Sequence, residues 1–302
     1  MRYVNLVVVL LSVILVAGCI NENVTTEKSI EDIEIKGSDT LLQLVSNLAE
    51  AYTQNNPDVR ISVTGGGSGT GIAALINGEV NIADSSRPIK GKELKLAEER
   101  KVNPQEFIIA RDMLSVVVHE DNPVSELTID QISGIYKGEI TNWEGVGGRD
   151  QKITLYGRQS TSGTYVYFME EVIKGDYSPH MRNMEGNQAI IDAVKQDKTG
   201  AGYVGVGYVT DEGGRQINGI KTIKVAKDRN TPYISPLDES MLSEYPISRP
   251  LLQYLAEKPA MDSPIYDLLM FELSSEGQEI VEKSGFVSIT GEDKEHNDEV
   301  LG

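Results

Sequence analysis

Apolar residues along this chain follow two alternating patterns: short uninterrupted runs, and longer runs in which an apolar residue recurs at about every third or fourth position. The short runs predict β-strands, and the spaced runs predict helices with one buried face. Strands are expected at residues 33–35, 59–63, 81–83, 113–119, 153–156 and 250–255. Helices are expected at residues 41–52, 72–76, 92–100, 165–173, 265–273 and 276–283, with another beginning at 128–130. Residues 187–209 predict a helix, a glycine turn and a glycine-rich strand, and the whole alternation favours α/β architecture with mostly parallel sheets.

The amino terminus has the pattern of an export signal, expected at residues 1–19. A basic residue precedes an apolar run at residues 6–16, which is shorter than a membrane span and typical of a signal-peptide core. The run ends in VAGC, which resembles a lipobox, where signal peptidase cuts and a cysteine receives lipid. Cys19 is the only cysteine, so we expect it to carry the lipid and expect no internal disulfide. The alternatives are a plain signal peptide with an incidental cysteine and a short uncleaved anchor.

Composition and charge narrow the classes of partner. The chain has 302 residues, of which 39% are hydrophobic and 25% charged, as in globular proteins with room for two domains. The formal net charge of -18 repels nucleic acid and anionic lipid, so neither is expected as a partner. A small anion would have to be held by local hydrogen bonds. Residues 20–29 are expected to form a polar tether, and the acidic tail at 291–302 is expected to fray.

Three segments share one design, in which a strand leads through a loop of Gly, Ser and Thr into a helix. They are EIKGSDTLLQLV, SVTGGGSGTGIAAL and TLYGRQSTSGTYVYF. The first N–H groups of a helix have no intrahelical partner and carry the positive end of the helix dipole, so such loops favour anions. A single loop of this type usually only caps its helix. Together with ADSSRP after a further strand, the loops predict one shared anion site, because strand ends gather at the crevice of an α/β sheet.

The glycine run at residues 65–71 does not match the nucleotide-binding motifs well. A Walker A loop needs Lys followed by Ser or Thr after its last glycine, and this run lacks both. The looser dinucleotide pattern is met by Gly69, Gly71 and Ala74, but Asp84 falls short of the usual distance to an acidic ribose partner. A flexible linker does not fit, because a strand and a helix flank the run closely. Arginines beside two of the loops, at 87 and 158, can donate in pairs to an oxyanion.

Five segments in order resemble the substrate-binding proteins of phosphate ABC transporters. They are GSDTLLQLVSNLAEAY, ISVTGGGSGTGIAALINGEVNIADSSRPIK, LTIDQISGIYKGEITNW, GRQSTSGTYVYF and AGYVGVGYV. The resemblance extends from about residue 33 to residue 286. It implies a type II periplasmic-binding fold, with two α/β lobes joined by two crossing strands and orthophosphate in the cleft. Lobe 1 would comprise residues 30–112 and 250–290, lobe 2 would comprise residues 113–249, and MLSVVVH and PLLQYL would be the crossing strands.

The resemblance also implies which residues contact phosphate, and all lie in the loops described above except Asn187, which is expected at the start of a further helix. Some act through side chains and others through backbone N–H groups, as expected at Leu41, Gly69 and Gly163. The implied set is Ser38, Thr40, Leu41, Ser68, Gly69, Ser86, Arg87, Arg158, Ser162, Gly163, Thr164 and Asn187. No metal and no cofactor is implied.

The chain departs from the family at Ser86, where better-known members have an aspartate that accepts the proton of HPO4 2-. Such an acceptor excludes sulfate, because two acceptors would face each other unpaired. Asp39 or Asp84 would have to take this role, and we favour Asp39 because it lies inside a cap loop facing the expected site. The alternative is that Asp39 only caps its own helix.

The implied function is capture of phosphate and delivery to a membrane permease by a monomeric, non-enzymatic carrier. A carrier for sulfate, molybdate or tungstate is an alternative, as is a signalling protein that reports phosphate without transport. A secreted phosphatase would need a nucleophile with a base, or metals, and His119, His180 and His296 lack the spacing of either arrangement. Tyr203 and Tyr208 are expected to pack between the lobes.

Overall fold

The computed structural model describes residues 31–211 and 213–301. In chain order its strands are β1 (Glu31–Gly37), β2 (Val59–Thr64), β3 (Ile82–Ser85), β4 (Gln105–Met113), β5 (Ser115–His119), β6 (Glu126–Thr128), β7 (Thr154–Arg158), β8 (Arg182–Met184), β9 (Gly200–Val204), β10 (Ile220–Thr222), β11 (Lys224–Ala226) and β12 (Ser248–Leu255). Its helices are α1 (Leu42–Asn55), α2 (Ser68–Ile76), α3 (Gly91–Glu99), α4 (Ile129–Lys137), α5 (Gly163–Tyr167), α6 (Asn187–Gln196), α7 (Pro264–Leu273), α8 (Ser275–Lys283) and α9 (Gly291–Leu301). A π-helical segment, Phe168–Ile173, continues α5.

Two five-stranded sheets divide the described residues into two lobes. The strand order is β2-β1-β3-β12-β4 in lobe 1 and β10-β5-β9-β7-β8 in lobe 2. In lobe 1, β12 is antiparallel to β3 and β4, and in lobe 2, β5 is antiparallel to β9 and β10. Each five-stranded sheet therefore has two parallel and two antiparallel pairings, because each contains a strand that the chain enters directly from the other lobe, and the expectation of mostly parallel sheets is met only in part. Across residues 31–211 and 213–301, no helix has both the length and the apolar character needed to cross a membrane.

The chain passes between the lobes twice, and the two passages lie side by side. β4 ends at Met113 and β5 begins at Ser115, so Leu114 alone separates a strand of lobe 1 from a strand of lobe 2. The N–H of Leu114 donates to the carbonyl of Ile247 at 3.0 Å, and Ile247 directly precedes β12. The strand expected at residues 113–119 is thus divided between the two sheets at Leu114.

The core of lobe 1 fixes the loop that follows β1. Ile33 and Ile35 point to one face of β1 and are buried, as strand periodicity requires. Leu44, Leu48 and Tyr52 form the buried face of α1 against the same core. Because the strand before the loop and the helix after it are both packed, the loop between them has a fixed position.

The core of lobe 2 contains a cluster of aromatic rings. Phe168 and Tyr203 stack with ring centroids 4.1 Å apart and planes inclined by 9°. Tyr136 meets both rings at steep angles, and the hydroxyls of Tyr177 and Tyr203 lie 2.8 Å apart. The Tyr203 hydroxyl also accepts the backbone N–H of Arg158 at 3.2 Å. Tyr203 therefore packs inside lobe 2, and the expectation that it lies between the lobes is wrong.

The acidic carboxyl-terminal segment forms α9 and packs against β4, so the expectation that it frays is wrong. Asn297 bonds both backbone groups of Ile108, accepting from its N–H at 2.9 Å and donating to its carbonyl at 2.8 Å. Arg111 forms an ion pair with Asp293 whose shorter N–O distance is 2.6 Å. Because β4 is the edge strand of its sheet, α9 covers backbone groups that would otherwise be unpaired.

Candidate anion-binding site

The Ser, Thr and Gly loops of both lobes meet at one place between the lobes. In lobe 1 they follow the carboxyl ends of β1, β2 and β3, which are parallel neighbours. In lobe 2 the loop follows β7, which is parallel to β8 and β9. The loops after β1, β2 and β7 lead directly into helices. The loop after β3 continues through residues 86–90 before α3 begins. The crevice is thus formed by strand ends from two sheets, as expected for a ligand site in α/β proteins.

Three serine hydroxyls of lobe 1 form a buried cluster. Ser38 Oγ donates to Ser86 Oγ at 3.0 Å, and Ser68 Oγ lies 3.4 Å from Ser86 Oγ while accepting the Ser86 N–H at 3.0 Å. Gly163 of lobe 2 lies directly against them, since a methyl group at this position would overlap Ser68 Oγ and lie 2.7 Å from Ser86 Oγ. The first turn of α5, whose N–H groups have no acceptor within the helix, therefore lies against the Ser68 and Ser86 hydroxyls of the other lobe.

Two threonines continue the cluster across the cleft. Thr40 Oγ1 and Thr164 Oγ1 lie 2.9 Å apart, and both side chains are buried. Ser162 precedes α5 and accepts the N–H of Tyr165 at 3.4 Å, so its hydroxyl caps the helix. The cap and the two threonines hold the first turn of α5 against the loop after β1.

Arg158, at the end of β7, is a cation of lobe 2 that contacts lobe 1, and its side chain is only 1% exposed. Its Nη2 donates to Asp39 Oδ2 at 2.5 Å and to the carbonyl of Glu185 at 3.1 Å, and its Nη1 donates to Asn187 Oδ1 at 3.2 Å. The buried Nε has no acceptor among the described residues. Buried donors normally have a partner, so the unpaired Nε fits an additional anionic ligand.

Asp39 does not cap its own helix. Its Oδ1 accepts the N–H of Gly66 at 2.9 Å, and its Oδ2 accepts from Arg158 across the cleft. Helix α1 has no side-chain cap at Leu41. The Tyr208 hydroxyl of lobe 2 donates to the Asp39 carbonyl at 2.6 Å, so Tyr208 lies between the lobes as expected.

Asp84, the other candidate for the proton acceptor, points into lobe 1. It is buried and accepts from Gln253 Nε2 at 3.2 Å, and Gln253 Nε2 also lies 3.4 Å from Glu272 Oε1. Burial raises the pKa of Asp84 to about 7, although the hydrogen bond from Gln253 lowers it. Burial and the nearby Asp84 raise the pKa of Glu272 well above its ordinary value. The Asp84 carboxylate thus points away from the other predicted site residues, although its backbone carbonyl accepts the N–H of Ser38 at 2.9 Å.

Arg87 is brought beside the site but is engaged by its own lobe. Its two terminal nitrogens donate to the carboxylate of Glu93 at 2.8 and 2.7 Å, and Nη1 also donates to the carbonyl of Pro88 at 2.8 Å. Burial alone would raise the pKa of Glu93, but the hydrogen bonds and charge of Arg87 lower it. The terminal donors expected to contact an anion are therefore used within lobe 1.

Two of the predicted backbone donors also have protein acceptors. The N–H of Leu41 donates to the carbonyl of Ser38 at 3.1 Å, and the N–H of Gly69 donates to the carbonyl of Thr161 at 3.2 Å. The second bond joins lobe 1 to lobe 2. The bond between Gly69 and Thr161 therefore helps to hold the cleft closed.

Sequence reasoning missed Arg249 and Asp112, a buried ion pair that adjoins the site. Arg249 donates to the carbonyl of Ser86 and to Thr164 Oγ1, so it contacts residues of both lobes. The available signal was a charged residue beside the apolar run on each side of the crossing, Asp112 before MLSVVVH and Arg249 before PLLQYL. The expected strand at 250–255 began one residue too late to include Arg249.

The histidines lie apart from this site and from one another. His119 Nδ1 accepts the N–H of Asp121 at 3.1 Å, and His296 Nε2 lies 3.2 Å from the carbonyl of Glu106. The backbone N–H of His180 bonds Ser178. Within the described ranges, no group of three or more His, Cys, Asp or Glu residues is arranged to hold a metal ion.

Comparison with known proteins assigns the family. The family model described as a PBP superfamily domain matches residues 23–270. The chain is 33% identical over 270 residues to the phosphate-binding protein PstS of Pseudomonas aeruginosa, covering 84% of this chain and 81% of that protein. It is also 33% identical over 258 residues to PstS of Staphylococcus epidermidis, covering 84% and 77% of the two chains. The chain belongs to the PstS family of the PBP superfamily.

Solved structures of the PstS family and its relatives support the same fold. A putative phosphate ABC transporter substrate-binding protein from Clostridium perfringens, solved with bound phosphate, aligns with a TM-score of 0.74 at 29% identity, covering 86% of this chain and all (100%) of that one. An ABC-type phosphate transport receptor from Vibrio cholerae aligns with a TM-score of 0.67 at 29% identity, covering 85% and 100% of the chains. The type II periplasmic-binding fold expected from the sequence is confirmed.

Proposed function

We propose that this chain is an extracytoplasmic binding protein that captures inorganic phosphate between its lobes and delivers it to an ABC permease. The observation that carries the proposal is the meeting of the Ser38, Ser68 and Ser86 hydroxyls with the first turn of α5 in a buried cleft. Membership of the PstS family supports the same ligand. The protein is a carrier and not an enzyme.

The proposed contacts explain how so acidic a protein could hold an anion. With a formal net charge of -18, attraction must come from groups within hydrogen-bonding distance. Serine and threonine hydroxyls, the N–H groups of Gly163 and Thr164, and the guanidinium of Arg158 supply such donors from both lobes. Donors from two lobes stabilise the closed arrangement, because each lobe alone offers only part of the set.

For selectivity we propose that Asp39 accepts the phosphate proton. It is the acidic side chain that the structure brings to Arg158, whereas Asp84 lies inside lobe 1. Sulfate carries no such proton, so a carboxylate at this place would disfavour it. Asp39 also orients Arg158. Measuring the affinities for phosphate and for sulfate distinguishes this role from acceptance of the phosphate proton.

The proposed cellular arrangement depends on the amino-terminal residues, which lie outside the described part of the chain. We propose export by the signal at residues 1–19, lipid attachment at Cys19 and a tether at residues 20–29. The lipid would keep a monomeric carrier close to the permease and so raise its effective concentration there.

Calorimetric titration of the full-length protein in detergent tests the function. We expect one phosphate per chain with a dissociation constant at or below about 1 μM, and weaker binding of sulfate and molybdate. Absence of phosphate binding at micromolar concentration contradicts the proposal. Tighter binding of sulfate, molybdate or tungstate would instead assign the carrier to that anion.

A further inference from the structure

A buried ion pair lies where the two lobe crossings meet the anion-binding loops. Arg249 on β12 and Asp112 on β4 are direct partners in the antiparallel ladder, with side chains 1% and 0% exposed. Arg249 Nε and Nη2 donate to Asp112 Oδ2 at 3.0 and 2.8 Å, and Asp112 Oδ1 accepts the N–H of Val206 in lobe 2 at 2.9 Å. Desolvation offsets much of the attraction in a buried pair, so stability alone is a weak explanation for its presence.

The remaining contacts of Arg249 reach both lobes. Its Nη1 donates to the carbonyl of Ser86, at the end of β3 in lobe 1, at 2.8 Å. Its Nη2 donates to Thr164 Oγ1, in the first turn of α5 in lobe 2, at 3.0 Å. The guanidinium carbon also lies 5.2 Å from the ring centroid of Tyr167, another side chain of lobe 2. One side chain thus joins a site residue of each lobe.

The bond to Thr164 determines what its hydroxyl can do. A hydroxyl has one proton to donate and two lone pairs to accept with. Because Arg249 uses one of the lone pairs, the Thr164 proton is directed away from Arg249. Thr164 Oγ1 and Thr40 Oγ1 lie 2.9 Å apart and either can donate to the other, so one proton of the pair remains for an anion in the cleft.

We propose that Arg249 is a positioning residue that couples lobe closure to phosphate binding. It holds the Ser86 loop and the Thr164 hydroxyl in one arrangement without needing to contact the anion. Both bonds can exist together only while the lobes are closed, so phosphate and Arg249 stabilise the same state. This inference depends on the proposed function, because phosphate is the ligand whose binding it describes.

Two variants test the coupling. Arg249→Lys keeps a cation next to Asp112, but a single ammonium lacks the planar fork that serves Asp112, Ser86 and Thr164 together. A double variant, Arg249→Met with Asp112→Leu, removes both charges and leaves no unpaired ion in the core. It therefore keeps the coupling testable if Arg249→Lys fails to fold. Both variants lose the link between Ser86 and Thr164.

Arg111→Lys provides a matched control. Arg111 lies next to Asp112 on β4 and forms a two-bond ion pair with Asp293 of α9, outside the cleft. Its replacement weakens another two-bond Arg–Asp ion pair of β4, whose arginine is 25% exposed, outside the binding loops. Any effect of general destabilisation on phosphate affinity should therefore appear in the control as well.

For the wild type and each variant, we would measure the dissociation constant by calorimetry, the release rate of radiolabelled phosphate, and the contraction on phosphate addition by small-angle X-ray scattering. In both Arg249 variants we expect the dissociation constant to rise about 10- to 100-fold, mainly through faster release, with less contraction. In Arg111→Lys we expect wild-type values for all three quantities.

Wild-type release rate and contraction in the Arg249 variants would overturn the inference while leaving the proposed function intact. Equal losses in Arg111→Lys would also overturn it, because they would indicate general destabilisation. Failure of the wild type itself to bind phosphate would contradict the proposed function instead.

Discussion

Asp39 brings a carboxylate into a cleft that is otherwise lined mainly by hydrogen-bond donors. Arg158 and the N–H of Gly66 each bond one of its oxygens, and further lone pairs remain on both. The carboxylate can therefore orient Arg158 and accept a proton from a ligand at the same time. These roles have different consequences for anions with and without a proton.

We predict that Asp39→Asn narrows the phosphate-to-sulfate affinity ratio, because an amide can donate to sulfate where a carboxylate repels it. Phosphate affinity itself should fall about tenfold or more with loss of the charged acceptor. Calorimetry with both anions measures the ratio, and Asp32→Asn, in an exposed pair with Arg60, is the control. An unchanged ratio would restrict Asp39 to orienting Arg158.

Asp84 on β3 and Glu272 on α7 form a second acidic group, buried in lobe 1, with Gln253 between them. Burial raises the pKa of Asp84 from 3.8 to about 7 and raises the pKa of Glu272 well above 4.5. Between the unfolded and folded pKa values, the folded state retains protons that the unfolded state has released. Stability therefore falls as pH rises through this range.

We predict that Glu272→Gln raises the free energy of unfolding at pH 8 by roughly 1 to 3 kcal/mol, because a neutral amide neither has to retain a proton at that pH nor buries a charge beside Asp84. The decline in stability between pH 5 and pH 8 should also become shallower. Urea unfolding at both pH values measures this, with Glu126→Gln at an exposed ion pair as control. A decline as steep as in the wild type would show that Glu272 does not titrate in this range.

Among the secondary-structure elements, the first turn of α5 depends most closely on the other lobe. Gly163 begins the helix, and the absence of a side chain allows it to approach Ser68 and Ser86. In an isolated helix, alanine would be more favourable than glycine at this position by about 1 kcal/mol or less. The close approach matters only when the lobes are together.

Gly163→Ala should therefore weaken phosphate binding about 10- to 100-fold while leaving the thermal unfolding temperature unchanged or slightly raised. The added methyl group overlaps Ser68 Oγ in the closed arrangement, so it acts on closure. Gly91→Ala is the control, because Gly91 also begins a helix and a methyl group there meets nothing within 4 Å. Calorimetry and differential scanning fluorimetry measure the two quantities, and wild-type affinity would argue against a closed binding state of this geometry.

Helices, strands and loops whose sequence pattern involves only neighbouring residues could be predicted from the sequence. Ser38, Ser68 and Ser162 each precede or begin a helix, so short-range glycine and serine patterns were enough to place them in loops that lead into helices, although only Ser162 caps its helix. Arg87 showed the limit of that reasoning, because Glu93, six residues further on, occupies its terminal nitrogens. A donor next to a binding loop is available only if no nearby carboxylate bonds it first.

At the scale of the whole molecule, the features that were missed depend on contacts between distant parts of the chain. Arg249 and Asp112 are 137 positions apart, and neither has a local pattern that indicates its partner. The ion pair of Arg111 with Asp293 spans 182 positions, and together with Asn297 it secures a helix whose acidic composition alone suggested fraying. The two-lobe arrangement could be expected only from resemblance to a family.

Lobe 2 is inserted into lobe 1, because the chain leaves lobe 1 after β4 and returns to it at β12. The first described strand, β1, and the last helix, α9, therefore both belong to lobe 1. Any tether preceding Glu31 would be attached to lobe 1 alone. Lobe 2 would then be the lobe without an attachment, so opening of the cleft would move lobe 2 relative to the tethered lobe.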